Sequence, residues 1–448
     1  MYATGEGRFM HDNIPVPAMV TARAAHDSYT KDPSRWGSPE VAAFFPGFEH
    51  LDMATSGAVI RLRHGGQGPP LLLLHGNPQN HVCWHKIAAR LAGRFHVVLP
   101  DLRGYGDSSL PAPGPDNGNF SFRPMALDMV EIMEALGYKE FMLAGHDRGA
   151  RTAHRLCLDF PERVSRLCLM DILPNYYVWT NVTKNWGIKT WHWLFMAQPE
   201  PFPERLISAV PAEFYLKNRM IIRGGTGIAF FDDAAMNEYI RCYTLKTITG
   251  SCRDYRATAT CDFALDTLDK DRQLAMPLML LWGARGQVPE RSAAFAAIWS
   301  QFASDIAHAE PVPCGHYLQE EEPDLIFERF MRFFAPGRSC RHPGGIMPAG
   351  AARDAATACD AWHVYLAACA DGTLYCGIAK DPEKRLAEHN GVLPGGARYT
   401  RGRRPVVLLA SRACAGKGEA LRLERAIKSR PRHEKLSFMR NHRQEAIS

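Results

Sequence analysis

Long hydrophobic runs are missing from this chain. The aliphatic stretches are short, as at Leu71 to Leu74, far below the roughly 20 residues that a helical membrane span requires. The first forty residues lack a basic segment followed by an apolar one, and Pro15 and Pro17 interrupt the sole candidate, so no secretory leader is read there. The twelve cysteines form no C-x-x-C pair and no Cys/His cluster at zinc spacing, which favours buried free thiols over disulfides or a zinc site. Together these absences predict a cytoplasmic protein without membrane contact.

What is present describes globular protein: 448 residues, 46% hydrophobic and 22% charged, a length that implies two or three domains. Charge is unevenly divided. Residues 361–448 hold 17 Lys and Arg against 8 Asp and Glu, leaving 36 against 39 for the rest of the chain. A mildly acidic body is thus joined to a basic tail, and such a tail suggests a polyanionic partner. Residues 1–43 have no clear periodicity and read as a loose extension. From residue 44 short apolar strands (Leu71–Leu74, His96–Leu99, Phe141–Ala144, Val164–Met170, Pro277–Trp282) alternate with helical patterns, which predicts an α/β fold with a parallel sheet covered on both faces. The alternation stops between about 175 and 274, where aromatic residues are dense. That segment reads as a helical cap over the carboxyl edge of the sheet, the edge at which open α/β sheets bind ligands. A helix over Pro323–Phe334 closes the domain near 335. Residues 336–360 are rich in Pro, Gly, Ala and Arg, as a linker is.

The chemistry centres on Gly145-His146-Asp147-Arg148-Gly149-Ala150-Arg151. An apolar strand, a small-x-Asp-x-Gly turn and a helix make a nucleophile elbow with Asp147 at the position of the nucleophile. A carboxylate needs no base for activation and can displace a leaving group from an sp³ carbon, forming an alkyl ester. The competing reading of Asp147 is an N-cap of the next helix. His316, near the end of the domain, is placed to deprotonate a water that attacks the ester. After the penultimate strand, Gly283-Ala284-Arg285-Gly286-Gln287 contains no carboxylate. The acid that orients His316 is therefore assigned to Asp171, at the tip of the strand after the elbow helix. Asp171 could instead be a turn residue before Pro174.

Residues 44–335 resemble the fluoroacetate (haloacetate) dehalogenases of the α/β-hydrolase fold. The matching text is His75-Gly76-x-Pro78-Gln79, Gly145 to Arg151, Asp171-Ile172-Leu173-Pro174, His192-Trp193, Asp254-Tyr255-Arg256-Ala257 and Gly315-His316. The resemblance implies Asp147 as nucleophile, His316 as base and Asp171 as acid. It also implies Arg148 and Arg151 as binders of the substrate carboxylate, with His192, Trp193 and Tyr255 donating to the departing halide and no cofactor. His192 and Trp193 could instead be cap core. Both arginines are expected to be buried without a partner until an anionic substrate arrives, which favours short haloacids over neutral compounds. Asn77 departs from this pattern: His-Gly-Asn-Pro is similar to haloalkane dehalogenases, in which that Asn donates to halide. Epoxide hydrolases share the Asp nucleophile, the His and cap tyrosines, and are the alternative enzyme class.

The tail resembles the small GIY-YIG nuclease domain over residues 362–440. The matching text is His363-Val364-Tyr365, Tyr375-Cys376-Gly377-Ile378, Lys384 to Asn390, Tyr399 to Val406 and Ala420-Leu421-x-x-Glu424-x-x-Ile427-Lys428. The resemblance implies that Tyr365, Tyr375 and His389 handle water, Arg385 neutralises the scissile phosphate, and Glu424 holds one Mg²⁺ or Mn²⁺ on a DNA substrate. A nucleic-acid-binding or inert appendage, on a body repurposed from a hydrolase, is the alternative of another class.

Overall fold

The computed structural model describes residues 37–224, 227–286, 294–335, 362–371, 373–391, 395–404, 406–414, 416–431, 434–435 and 438–439. Most of the expected extension and all of the expected linker lie outside these residues. The chain divides into two compact units. Among the described residues no helix is long and apolar enough to cross a membrane.

Eight strands make the sheet of the first unit: β1 (Phe48–Ala54), β2 (Val59–Gly65), β3 (Pro70–Leu74), β4 (His96–Pro100), β5 (Phe141–His146), β6 (Val164–Met170), β7 (Leu278–Gly283) and β8 (Ile306–Val312). Their order is β1-β2-β4-β3-β5-β6-β7-β8. From β4 to β8 neighbours run parallel, whereas β2 is antiparallel to both β1 and β4. The sheet is therefore mixed rather than wholly parallel. Leu71 to Leu74 and all of β5 and β7 are buried, because helices cover both faces. In β2 the arginines are buried as well: Arg61 is held by Asp52 and Asp107, and Arg63 donates to His81. Pairing, not periodicity, decides the burial of a guanidinium here.

The helices of this unit are α1 (Pro39–Ala43), α2 (His85–Ala92), α3 (Phe122–Ala135), α4 (Arg148–Asp159), α5 (Asn175–Thr180), α6 (Lys184–Lys189), α7 (Trp191–Met196), α8 (Phe202–Ser208), α9 (Ala212–Gly224), α10 (Asp233–Cys242), α11 (Leu245–Ala257), α12 (Phe263–Leu268), α13 (Phe295–Trp299), α14 (Leu318–Glu321) and α15 (Pro323–Phe334). The α1 helix lies inside the stretch expected to be loose; Ser38 caps it and Val41 joins the core. Helices α5 to α12 form the cap between β6 and β7. A π-helical turn, Thr258–Asp262, separates α11 from α12. Ten cysteines among the described residues are free thiols, nine of them buried.

The second unit has an antiparallel sheet ordered β10-β9-β11, with β9 (Trp362–Cys369), β10 (Leu374–Ala379) and β11 (Val406–Cys414), and the helices α16 (Pro382–Asn390) and α17 (Lys417–Lys428). Gly377 faces Tyr365 across β10 and β9. A Cβ at position 377 would stand 2.6 Å from the Tyr365 hydroxyl, so glycine there is what lets the tyrosine lie across the sheet.

Candidate active site

The elbow sits between β5 and α4. Asp147 has φ 50° and ψ −113°, outside the regions comfortable for a side-chain-bearing residue, a strain of about 1–3 kcal/mol that the surroundings must hold. Close packing holds it. A Cβ on Gly149 would lie 2.4 Å from the carbonyl oxygen of His75, so the elbow helix can approach β3 this tightly only with glycine. Asp147 makes no side-chain cap to α4, which removes the N-cap reading. Its Oδ1 accepts the backbone N–H of Asn77 at 3.0 Å, and its Oδ2 lies 3.3 Å from His316 Nε2.

Asp171, at the end of β6, places Oδ2 2.5 Å from His316 Nδ1, while its Oδ1 accepts the N–H of Gly283 at 2.9 Å. The turn that lacks a carboxylate thus supplies a backbone donor that fixes the carboxylate arriving from the neighbouring strand. Glu321 accepts the N–H groups of both Gly315 and Tyr317, one on each side of His316. His146 Nε2 donates to the His316 carbonyl at 2.7 Å. Asp171 thus holds the imidazole while Glu321 and His146 hold the backbone that carries it, and all three members of the set are at most slightly exposed.

The two arginines differ. Arg148 is paired: Nε donates to Asp254 Oδ2 at 2.8 Å, and Nη2 reaches Asp254 Oδ1 and the Thr258 hydroxyl. Tyr105 donates to the same carboxylate at 2.5 Å. This corrects the expectation of two unpartnered guanidiniums, since Asp254 on α11 neutralises the first. Only Nη1 of Arg148 lacks an acceptor. Arg151 matches the expectation: it is buried, its Nη1 donates to the Leu173 carbonyl at 3.2 Å, and Nε has no acceptor. Burial, and then the neighbouring Arg148 charge, bring its pKa down to about 10, so it stays a cation at neutral pH.

Tyr255 lies with its ring under the Arg148 guanidinium at 4.4 Å and edge-on to His192 and Trp193 at 5.7 and 5.6 Å. Trp193 also packs with Trp179 and Trp186 and carries Arg151 at 4.6 Å over its ring, so it belongs to the cap core and touches the elbow helix at once. The Asn77 amide is engaged on the cap side, donating to Ser251 Oγ at 2.9 Å and less closely to Tyr105. Its backbone N–H, rather than its side chain, faces Asp147.

In the second unit the Tyr365 hydroxyl is 2.7 Å from His389 Nε2, and the Tyr375 ring meets the imidazole edge-on at 4.8 Å. His389 Nδ1 accepts the Ala397 N–H at 3.1 Å, so the neutral ring carries its proton on Nε2 and donates it to Tyr365. Burial, then the Arg385 charge, lower the His389 pKa and favour that neutral form. Arg385 interacts with both Glu388 and Tyr365. Glu424 pairs with Lys428 at 2.8 Å. Tyr365, Tyr375, Arg385 and His389 lie together, and the charge of Glu424 is felt at Cys376, next to Tyr375. One partly buried carboxylate suits Mg²⁺, which keeps several waters and needs few protein ligands.

The family model for the alpha/beta hydrolase fold matches residues 69–323, and that for the GIY-YIG catalytic domain matches 361–437. The chain belongs to the α/β-hydrolase family, with a GIY-YIG domain at its C-terminal end. Over 299 residues, 66% of the chain, it is 40% identical to 97% of a fluoroacetate dehalogenase from Burkholderia sp. It is 29% identical to a soluble epoxide hydrolase from Corynebacterium sp. (strain C12) over 61% of the chain and 92% of that protein. A solved structure of an alpha/beta hydrolase from Nostoc sp PCC 7120 superposes with a TM-score of 0.63 at 44% identity, covering 65% of this chain and 99% of that one. The tail is 50% identical over 80 residues, 18% of the chain, to 71% of a UPF0213 protein from Nitratidesulfovibrio vulgaris.

Several residues that shape this hydrolase site escaped the sequence reading. Asp254 stood in a recognised block, yet its pairing joins positions 106 apart, which no local spacing reveals. Glu321 and His146 flank known positions and act through backbone groups. Arg219, on α9, left no signal at all.

Proposed function

We propose that the first unit hydrolyses short haloacids through an aspartyl ester. The observation that carries this is Arg151, a buried cation beside the Asp147 carboxylate with no carboxylate partner among the described residues. A substrate carboxylate supplies the missing charge, and a guanidinium binds it through paired N–H donors. Asp147 Oδ2 attacks the halogen-bearing carbon; the carbon–halogen electron pair leaves with the halide, stabilised by His192, Trp193 and Tyr255. His316 Nε2 then takes a proton from water, and the hydroxide attacks the ester carbonyl. The Asn77 N–H on Oδ1 meets the negative charge of that tetrahedral state, and Asp171 stabilises the imidazolium. The ester breaks as the departing alkoxide takes the proton of the added hydroxyl, which releases the 2-hydroxy acid and leaves the carboxylate free, and the imidazolium returns its proton to solvent. Steady-state turnover of chloroacetate, 1-chlorobutane and styrene oxide tests the reading. Chloroacetate is expected to be preferred; equal or better kcat/KM on either neutral compound would replace haloacid with haloalkane or epoxide chemistry.

For the second unit we propose metal-dependent cleavage of DNA. The Tyr365–His389 pair, with Tyr375 and Arg385 around it, is suited to orient water and bind a phosphate. Glu424 would hold one Mg²⁺ or Mn²⁺, which neutralises charge at the phosphate when bound. A nicking assay on supercoiled DNA with each metal tests this, and retention of DNA without cleavage under any metal would leave a binding module.

A further inference from the structure

Arg219 is a second buried cation, and it lies on the cap side of the pocket. It is 3% exposed. It donates one N–H, to the Tyr255 hydroxyl at 3.4 Å, while Nε and Nη1 have no acceptor. Among the described residues no carboxylate pairs with it; the charges that bear on it are the phenols of Tyr255, Tyr215, Tyr243 and Tyr317, of which it touches the first. An unpaired guanidinium is costly to bury and is not explained by packing alone.

Its contact gives it a use. Tyr255 is the junction of the pocket: Arg148 covers its ring, His192 and Trp193 meet its edges, and its oxygen accepts from Arg219. Because the Arg219 N–H occupies a lone pair of that oxygen, the hydroxyl hydrogen is turned away from Arg219. A hydroxyl that accepts from a cation is also a stronger donor, since the two bonds polarise each other.

We propose that Arg219 is a positioning residue for the leaving group, which turns and polarises the Tyr255 O–H for the departing halide and sets a positive charge behind it. The inference rests on the haloacid reading. In the step concerned the Asp147 oxygen–carbon bond forms as the carbon–halogen bond breaks, the electron pair departs with the halide, and no proton is transferred. Fluoride concentrates its charge most and needs the strongest donor; bromide, larger and a better leaving group, needs it least.

The test uses the full chain with Arg219→Met and Arg219→Lys, measuring kcat and KM on fluoroacetate and bromoacetate, with circular dichroism to verify folding. Arg219→Met is expected to lose about 100-fold in kcat on fluoroacetate and less than about 10-fold on bromoacetate, with KM nearly unchanged. Arg219→Lys, which keeps charge but not the fork, is expected to fall between. Equal losses on both substrates in folded protein, or no loss, would overturn the proposal. If the Met variant does not fold, the Lys variant decides: a lowered fluoride-to-bromide ratio supports the proposal and an unchanged ratio overturns it. Wild-type protein that releases neither halide would instead remove the haloacid reading, and this inference with it.

Discussion

In the proposed reaction a carboxylate at the elbow reacts once without help, and one imidazole makes it turn over. Asp147→Ala is therefore expected to abolish halide release, whereas His316→Ala is expected to release about one halide per chain and then stop. Mass spectrometry of the His316→Ala protein should find the alkyl ester on Asp147, and an adduct elsewhere would take the nucleophile role from it. The Arg148–Asp254 pair gives a stability prediction. Asp254→Asn leaves a fully buried guanidinium without its counter-charge, and loss of one partner of such a pair costs about 3–5 kcal/mol, readable as a lowered midpoint in urea. Asp147, His316 and Asp171 were legible because strand order fixes which loop each occupies, even with the acid displaced by one strand. Arg148 was legible as a buried cation but not as a satisfied one, because its partner is brought to it by the cap.

At the scale of elements, the elbow tolerates no side chain where α4 meets β3. Gly149→Ala forces its Cβ against the His75 carbonyl, and the overpacking should cost about 1–3 kcal/mol, with a loss of activity if the turn relaxes. The α14 helix carries a titrating contact. Glu320 is buried with Gln79 donating to it at 2.9 Å and Tyr239 close by, and burial raises its pKa to about 8. The folded state therefore retains a proton that the unfolded chain releases near its ordinary carboxyl pKa. Stability from this group is full below that pKa and declines as pH rises toward 8. Thermal melts from pH 5 to 8 should show wild-type protein losing stability relative to Glu320→Gln; parallel curves would exclude Glu320 as the source. Elements buried on both faces, such as β3 and β5, were legible from apolar runs. The β1 strand was not, since its mixed burial offers neither a run nor a clean alternation.

At the scale of the molecule, the two proposed chemistries fall to separate compact units, and their variants should not cross. Glu424→Ala is expected to abolish metal-dependent nicking while leaving DNA retention and halide release at wild-type levels, and Asp147→Ala should spare nicking. Reciprocal loss in either assay would show that the units are coupled. Charge and composition set the basic tail of residues 361–448 apart from the mildly acidic body; nothing in the residues told why they are joined. Within the first unit, the ion pair between Arg148 of the core and Asp254 of the cap has a kinetic meaning. Lifting the cap would pull two opposite charges apart in a dry interior, so opening like a jaw carries the cost of breaking that pair. A protein latched in this way spends most of its time closed, and a substrate small enough to enter without parting the pair is spared the cost of opening.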